Sequence, residues 1–421
     1  MLIQFRFKNF KSFRDDTILD LSATKITEHA DHVIQIGNER ILPTAAIYGA
    51  NASGKSNVIE AFRYMSTYVL DSFGYGGEGG EKKSKTKRPK LTPFLFDNTS
   101  KSAESSFEVY FITAEEDGCK SYNYGFTLNQ NGVVEEWLNT KSKTTRKYKS
   151  IFYRSGRDLD LSGLPTKNQD IIKMSLYDEA LIVSLGAMQR ITKLRMVRDW
   201  FYNVSFTNFG NPLENAFLSS LIPAGFADDK AVQKKVLNYF SAFDPSIIGF
   251  HTEVIKGGDD DVEHVKIDAI HSIIGTDRTA SIPLQDESDG TLKMFALYPA
   301  LQETMSKGSI LLVDELNARL HPLLVRGFIL LFLNPETNPK HAQLVFSTHD
   351  SWQLSNNLLR RDEVWFTEKT PSGVSSLYSL ADFVSEDGTK IRKDESYEKN
   401  YLLGKYGAIP SLKYFDMFKE G

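Results

Sequence analysis

The segment Gly49-Ala50-Asn51-Ala52-Ser53-Gly54-Lys55-Ser56 fits the pattern G-x-x-x-x-G-K-[ST], and its flanks give that pattern meaning. Ile41 to Tyr48 reads as a buried strand, and Val58, Ile59, Phe62, Met65 and Val69 then recur at helical spacing. A strand, a glycine-rich turn and a helix N-terminus in that order make an anion site, because backbone N–H groups and the positive end of the helix dipole converge there. Gly49 and Gly54 allow backbone conformations and close approaches that a Cβ would block. Lys55 is expected to bridge the β- and γ-phosphates of a nucleoside triphosphate, and the Ser56 hydroxyl to ligate Mg²⁺. Gly49, Asn51, Ser53, Gly54, Lys55, Ser56 and Asn57 are therefore the candidate nucleotide-binding residues.

The rest of the chain must supply a fold around that loop. At 421 residues it can hold two or three domains or one large interrupted one, and 41% hydrophobic and 12% aromatic residues suffice for a sizeable core. A net charge of −4 means that any nucleic-acid contact has to come from local basic patches. Cys119 is the sole cysteine, which excludes an intrachain disulfide and a cysteine-rich zinc site and suits a reducing cytoplasm. The opening residues alternate like a strand rather than forming a leader, and the apolar run Leu323 to Leu333 is broken by Arg326. A soluble cytoplasmic protein with no membrane contact is the expectation.

Ile3, Phe5 and Phe7 alternate with Gln4, Arg6 and Lys8 as a half-buried strand, and Asn9-Phe10-Lys11-Ser12-Phe13 follows as a turn. Asp71 to Lys90 combines five glycines with Lys82, Lys83, Lys85, Lys87, Arg88 and Lys90, which reads as a flexible solvated loop or a phosphate-contacting arm. Phe107 to Ile112 and Tyr122 to Leu128 alternate as strands, and Lys141, Lys143, Arg146, Lys147 and Lys149 form a second basic cluster. From Gln169 to Phe243 the periodicity turns helical, with no sustained heptads and so no long coiled-coil arm. Ile247 to Ile255 and Val262 to Ile270 read as a hairpin around the acidic run Gly257-Gly258-Asp259-Asp260-Asp261, a solvated turn rather than a metal site. These readings divide the chain into an N-terminal lobe, 1–165, a compact helical insertion, 166–245, and a C-terminal lobe, 246–421.

Three motifs in the C-terminal lobe complete the chemistry. Ile310-Leu311-Leu312-Val313-Asp314-Glu315 has the Walker B form, an apolar buried strand ending in two carboxylates. Asp314 would hold Mg²⁺, and Glu315 would act as general base or orienter for an attacking water. Glu287-Ser288-Asp289-Gly290-Thr291 opens a helix, where Ser288 and Gly290 are either a phosphate-facing signature or an ordinary N-cap. Gln343 to Ser347 is a further buried strand, followed by Thr348-His349-Asp350.

The strand leading into "NFKSF", the extension Gly54-Lys55-Ser56-Asn57, and the order of P-loop, Ser-Asp-Gly, Asp-Glu and histidine resemble the SMC/RecF/OLD class of ABC-type ATPases. The resemblance implies an α/β ABC-type P-loop ATPase head, with a mixed central sheet, an antiparallel β-layer beside the nucleotide and a compact helical insertion. It implies ATP and Mg²⁺ as ligands, Glu315 and His349 as catalytic residues, and Ser288 and Gly290 reaching the γ-phosphate of a second subunit. Leu316 to Pro322, "LNARLHP", matches the D-loop region, although relatives usually carry Ser where Arg319 stands. The segments Arg360 to Phe366 and Tyr401 to Pro410 narrow the resemblance to stand-alone prokaryotic ATPases grouped as AAA/OLD-like. These include subunits of the PARIS and Septu anti-phage systems and abortive-infection or restriction-linked ATPases. With few residues after the histidine strand, a Toprim domain like that of OLD nucleases is not expected. The implied function is a homodimeric or higher homo-oligomeric sensor ATPase of a defence system controlling a separate effector, a Toprim- or HNH-type nuclease from a neighbouring gene. The alternatives are a RecF-like repair ATPase on DNA and a scaffold with structural nucleotide. Intact Lys55, Ser56, Asp314 and Glu315 weigh against the scaffold.

Overall fold

A computed structural model describes residues 1–75, 87–115, 118–142, 147–214, 222–241, 243–256, 263–384, 391–392 and 395–410. Lys82, Lys83 and Lys85 of the basic loop, Lys143 and Arg146 of the second cluster, and the acidic run 257–261 lie outside them.

Six strands form a mixed sheet in the order Ser205–Asn208, Ile310–Asp314, Gln343–Ser347, Thr44–Gly49, Val364–Lys369 and Ser375–Ser379. All neighbours pair in parallel except the last two, which form an antiparallel hairpin. The three central strands are buried along their whole length, as expected for short continuous apolar runs covered on both faces. Their side chains alternate between two cores. Ile47, Ile310, Leu312 and Val345 join one, while Ala46, Tyr48, Leu311, Val313, Leu344 and Phe346 join the other.

The helix Lys55–Asp71 lies in the first core, sandwiched between the mixed sheet and a seven-stranded antiparallel sheet. That second sheet runs Asp158–Asp160, Tyr148–Ser155, Val133–Lys141, Gly118–Leu128, Ser105–Glu115, Leu2–Lys8 and Thr17–Asp20. Val58, Ile59, Phe62, Met65 and Val69 are all buried, with the Phe62 ring against Phe5 and Phe206. On the opposite face of the mixed sheet, Asp289–Lys307, Pro322–Leu333 and Tyr397–Leu402 cover the second core. A third, smaller core joins the helix Lys230–Ser241 and a three-stranded antiparallel sheet (Ile247–Lys256, Glu263–Ser272, Thr279–Pro283) to Phe295 and Tyr298 of the Asp289–Lys307 helix.

The expected strand 41–48 is corrected at its start. Pro43 lacks the N–H that a continuous ladder needs, so Glu39–Ile41 pairs instead with Ile34–Ile36, and the sheet strand begins at Thr44. The basic residues Lys141 and Lys149 sit on strands of the antiparallel sheet, where Lys141 is paired with Glu39. In the span 166–245, three helices (Thr166–Ser175, Ile182–Met188, Thr192–Tyr202) pack into the first core, and Ser205–Asn208 extends the mixed sheet. Glu136, fully buried, accepts from the backbone N–H groups of Ile182 (2.6 Å) and Val183 (3.1 Å) and so fixes the start of the middle helix. Among the described residues no helix is long and apolar enough to cross a membrane.

Candidate functional site

Parallel pairing brings the C-terminal ends of Thr44–Gly49, Ile310–Asp314 and Gln343–Ser347 to one edge of the mixed sheet. There the loop from Gly49 to Gly54 turns into the helix. Gly49 and Gly54 adopt φ of +153° and +118°, and a Cβ would meet Thr367 at 2.5 Å in the first case and Ser375 Oγ at 2.8 Å in the second. Ala52, at the exposed tip beside Asn51, also has positive φ (61°). No described side chain caps the first turn of the helix, which leaves its N–H groups directed into the loop. Lys55 is buried, and its ammonium donates to the carbonyls of Gly49 and Ala50, both at 3.1 Å. Burial lowers its pKa, while the charges of Glu315 and Asp314 pull it back up.

Two neighbouring segments clamp this loop. Ser53 Oγ meets Thr367 Oγ1 at 2.6 Å, and Ser375 Oγ donates to the Ser53 carbonyl at 2.6 Å. The turn Asn9–Phe13 reaches the same place: Ser12 Oγ accepts from Asn57 Nδ2 (2.7 Å) and lies 2.8 Å from Ser375 Oγ, and Lys11 pairs with Glu60. "NFKSF" and "GKSN" are thus two halves of one hydrogen-bonded unit.

Asp314 is buried beside the loop. Its carboxylate accepts from Ser347 Oγ and from Asn208 Nδ2 at 3.0 Å, and the Ser56 hydroxyl lies close enough to influence its charge. Burial raises its pKa, and the Ser347 hydrogen bond and the nearby Ser56 hydroxyl oppose that rise. Glu315 follows with a left-handed backbone (φ 58°), its N–H held by Ser347 Oγ at 2.9 Å. This conformation, uncommon for a non-glycine residue, turns the carboxylate toward His349, whose Nε2 lies 3.4 Å from Oε1. The hydrogen bond with His349 is the main cause that lowers the Glu315 pKa, against its partial burial. Lys55, Ser56, Asp314, Glu315 and His349 therefore form one constellation. Asp350, a further acid at this edge, is committed to the following turn, accepting from Trp352 N–H (3.0 Å) and Gln353 Nε2 (2.8 Å).

Ser288 and Gly290 stand apart from this group. Ser288 is exposed and N-caps its own helix, accepting from Thr291 N–H at 3.2 Å. A Cβ on Gly290 would find nothing nearer than the Arg319 carbonyl at 3.7 Å, so packing within the chain does not require glycine there. This helix start is fastened to the loop after the Asp-Glu pair. Lys293 donates to the carbonyls of Ala318 (2.7 Å) and Phe209 (2.9 Å), and its pKa is lowered to about 8, chiefly by burial. Arg319 pairs with Asp289 at 2.7 Å in an exposed setting, a contact that contributes little by itself. From the same loop, Asn317 Oδ1 accepts from Thr348 Oγ1 (2.9 Å) and from the His349 N–H (3.1 Å).

Asn208, Ser347, Thr367, Ser375, Lys293 and Asn317 are the site residues that sequence reasoning missed. Ser347 alone had a signal, as the polar end of a buried strand next to the histidine. A family model described as "AAA domain, putative AbiEii toxin, Type IV TA system" matches residues 45–351. No curated protein matches the chain. Among solved structures, the SMC head domain from Thermotoga maritima is similar at 17% identity and a TM-score of 0.40, over 90% of this chain and 98% of that one.

Ser347 orients both acids, so Ser347→Ala should leave the fold intact yet weaken a divalent cation held at Asp314 by roughly 10–100-fold. A Mg²⁺ titration of nucleotide binding measures this, and an unchanged Mg²⁺ dependence would contradict the role.

Proposed function

This chain belongs to the family described as "AAA domain, putative AbiEii toxin, Type IV TA system", and from that premise we propose that it binds and hydrolyses ATP with Mg²⁺, dimerises around the nucleotide and controls a separate effector of a prokaryotic defence system. The observation that carries the ATPase reading is that Lys55, the Ser56 hydroxyl and the Asp314 carboxylate meet beside the Glu315–His349 pair. A hydroxyl and a carboxylate held together are the hard oxygen donors that suit Mg²⁺, which when bound neutralises charge on the phosphates. Lys55, with its ammonium on the loop carbonyls, is positioned to exchange those contacts for phosphate oxygens. Glu315, kept ionised by His349, orients a water and takes its proton. The family's description names a toxin and a TA system, which supports a defence role; the effector in this reading is a Toprim- or HNH-type nuclease. Glu315→Gln should therefore still bind ATP but turn it over about a hundredfold more slowly or worse. Single-turnover hydrolysis at the wild-type rate would remove Glu315 from this role.

The dimer follows from the placement of Ser288 and Gly290. An exposed helix start whose glycine is not required by packing within the chain supports a phosphate contact supplied to a second copy, closing that copy's site. Exchange of this kind gives a two-fold dimer with two equivalent sites. Gly290→Asp places an acid in the first turn of a helix, where it is tolerated, so its damage should appear only against the partner's phosphate. Mixing Lys55→Ala with Gly290→Asp then puts both defects in one site and neither in the other, and part of the ATPase activity should return. No recovery from variants shown to exchange subunits would refute a shared site.

A further inference from the structure

Away from the nucleotide edge, His29, Asp31 and His32 gather on the single 3₁₀ turn Ala30–His32 and the residue before it. One ligand atom from each lies within 4.8 Å of the others. His29 adopts a left-handed backbone (φ 46°, ψ 55°), which is strained for a residue with a Cβ. The consequence is visible in the side chains: the two imidazoles stack, with centroids 4.8 Å apart and planes 21° from parallel.

Each ring has one nitrogen already engaged. His29 Nε2 lies 2.8 Å from the carbonyl of Asn356, and His32 Nδ1 lies 3.0 Å from the carboxylate of Glu363. Glu363 is fully buried and also accepts from Arg360 N–H at 2.9 Å, so it cannot swing away. Donation of one ring N–H to a carbonyl or carboxylate is the arrangement that fixes the tautomer of a metal-binding histidine and aims its other nitrogen at the ion. By that logic His29 Nδ1 and His32 Nε2 are the nitrogens left to bind. Asp31 is exposed, and its carboxylate has no hydrogen-bond or ion-pair partner among the described residues.

We propose that His29, Asp31 and His32 form a binding site for a divalent transition metal of the zinc type. Two imidazoles and one carboxylate suit Zn²⁺, whereas Mg²⁺ and Ca²⁺ favour all-oxygen sets. Three protein ligands leave a fourth position for water. Ligand atoms in a tetrahedral zinc site stand about 3.4 Å apart, given bonds near 2.1 Å, and an imidazole lone pair lies in its ring plane, so zinc binding requires the two rings to turn out of their stack as the cluster closes. The metal would fix the orientation of both rings, whose other nitrogens contact Asn356 and Glu363 ahead of the strand Val364–Lys369, and Thr367 of that strand holds Ser53 of the phosphate loop. Arg360, held by its neighbour Asp362 (2.9 Å), already ties the two segments by donating to the carbonyl of Ile26 (3.2 Å). The local fold therefore does not depend on the metal.

The test uses the full chain, stripped with a chelator and then given Zn²⁺ in the presence of excess Mg²⁺, which occupies the hard oxygen sites. Elemental analysis after gel filtration should find one zinc ion per chain, and Co²⁺ in place of zinc should give a visible ligand-field band. His29→Ala and Asp31→Ala should each bind zinc at least tenfold more weakly while keeping the wild-type affinity for ATP. Because Asp31 is exposed, its variant folds whatever happens at His29. A wild-type chain that takes up no zinc, or variants that retain it in full, would overturn the proposal.

Discussion

The strand Thr44–Gly49 occupies the middle of the mixed sheet, parallel to Gln343–Ser347 on one side and to Val364–Lys369 on the other, and the chemistry of the molecule depends on that placement. Parallel neighbours end at the same edge, so segments far apart in sequence deliver Gly49, Ser347 and Thr367 to one place. Ile310–Asp314, one strand further on, adds the two carboxylates. A sheet buried on both faces keeps these strand ends from shifting. Small polar groups at their tips then make short, directed bonds: Ser347 to Asp314 and Glu315, Thr367 to Ser53, Asn208 to Asp314.

From that edge a chain of bonded groups runs to the exposed helix start. Glu315 contacts His349, whose backbone N–H is held by Asn317; the neighbouring Ala318 carbonyl is held by Lys293, one turn inside the helix that Ser288 caps. Movement of Ser288 relative to the sheet would be felt at His349 through groups that are buried or doubly bonded. Arg319, the departure from the usual D-loop serine, contributes only an exposed ion pair to this chain, and Lys293 carries the connection instead.

Much of this was legible in the sequence where one local segment carries the whole signal. The phosphate loop is strand, glycines and helix in succession, and each part has its own pattern. Ile310 to Glu315 and Gln343 to His349 were readable for the same reason, since a short apolar run ending in polar residues has few other uses. Asn208 and Ser205–Asn208 were not readable, because four residues with mixed polarity at a sheet edge carry no period, and only pairing with Ile310–Asp314 makes them a strand. Val133–Lys141 and Tyr148–Ser155 were masked by lysines that face solvent, as Lys149 does, or pair outside their own sheet, as Lys141 does with Glu39. Lys293 reads as a solvated helix residue until the carbonyls of Ala318 and Phe209 are seen to converge on it. The histidines of 29–32 have no apolar context of their own, and their meaning comes from Asn356 and Glu363.

The central claim is that the loop Gly49–Ser56 and the Asp314–Glu315 pair together hold a nucleoside triphosphate. Its most direct test is the affinity of Lys55→Ala for ATP in the presence of Mg²⁺, measured by isothermal titration calorimetry on protein shown by circular dichroism to be folded. The buried ammonium is the one cation on the loop itself, and loss of its charge-assisted bonds to phosphate should weaken binding at least tenfold. An unchanged affinity would contradict the account.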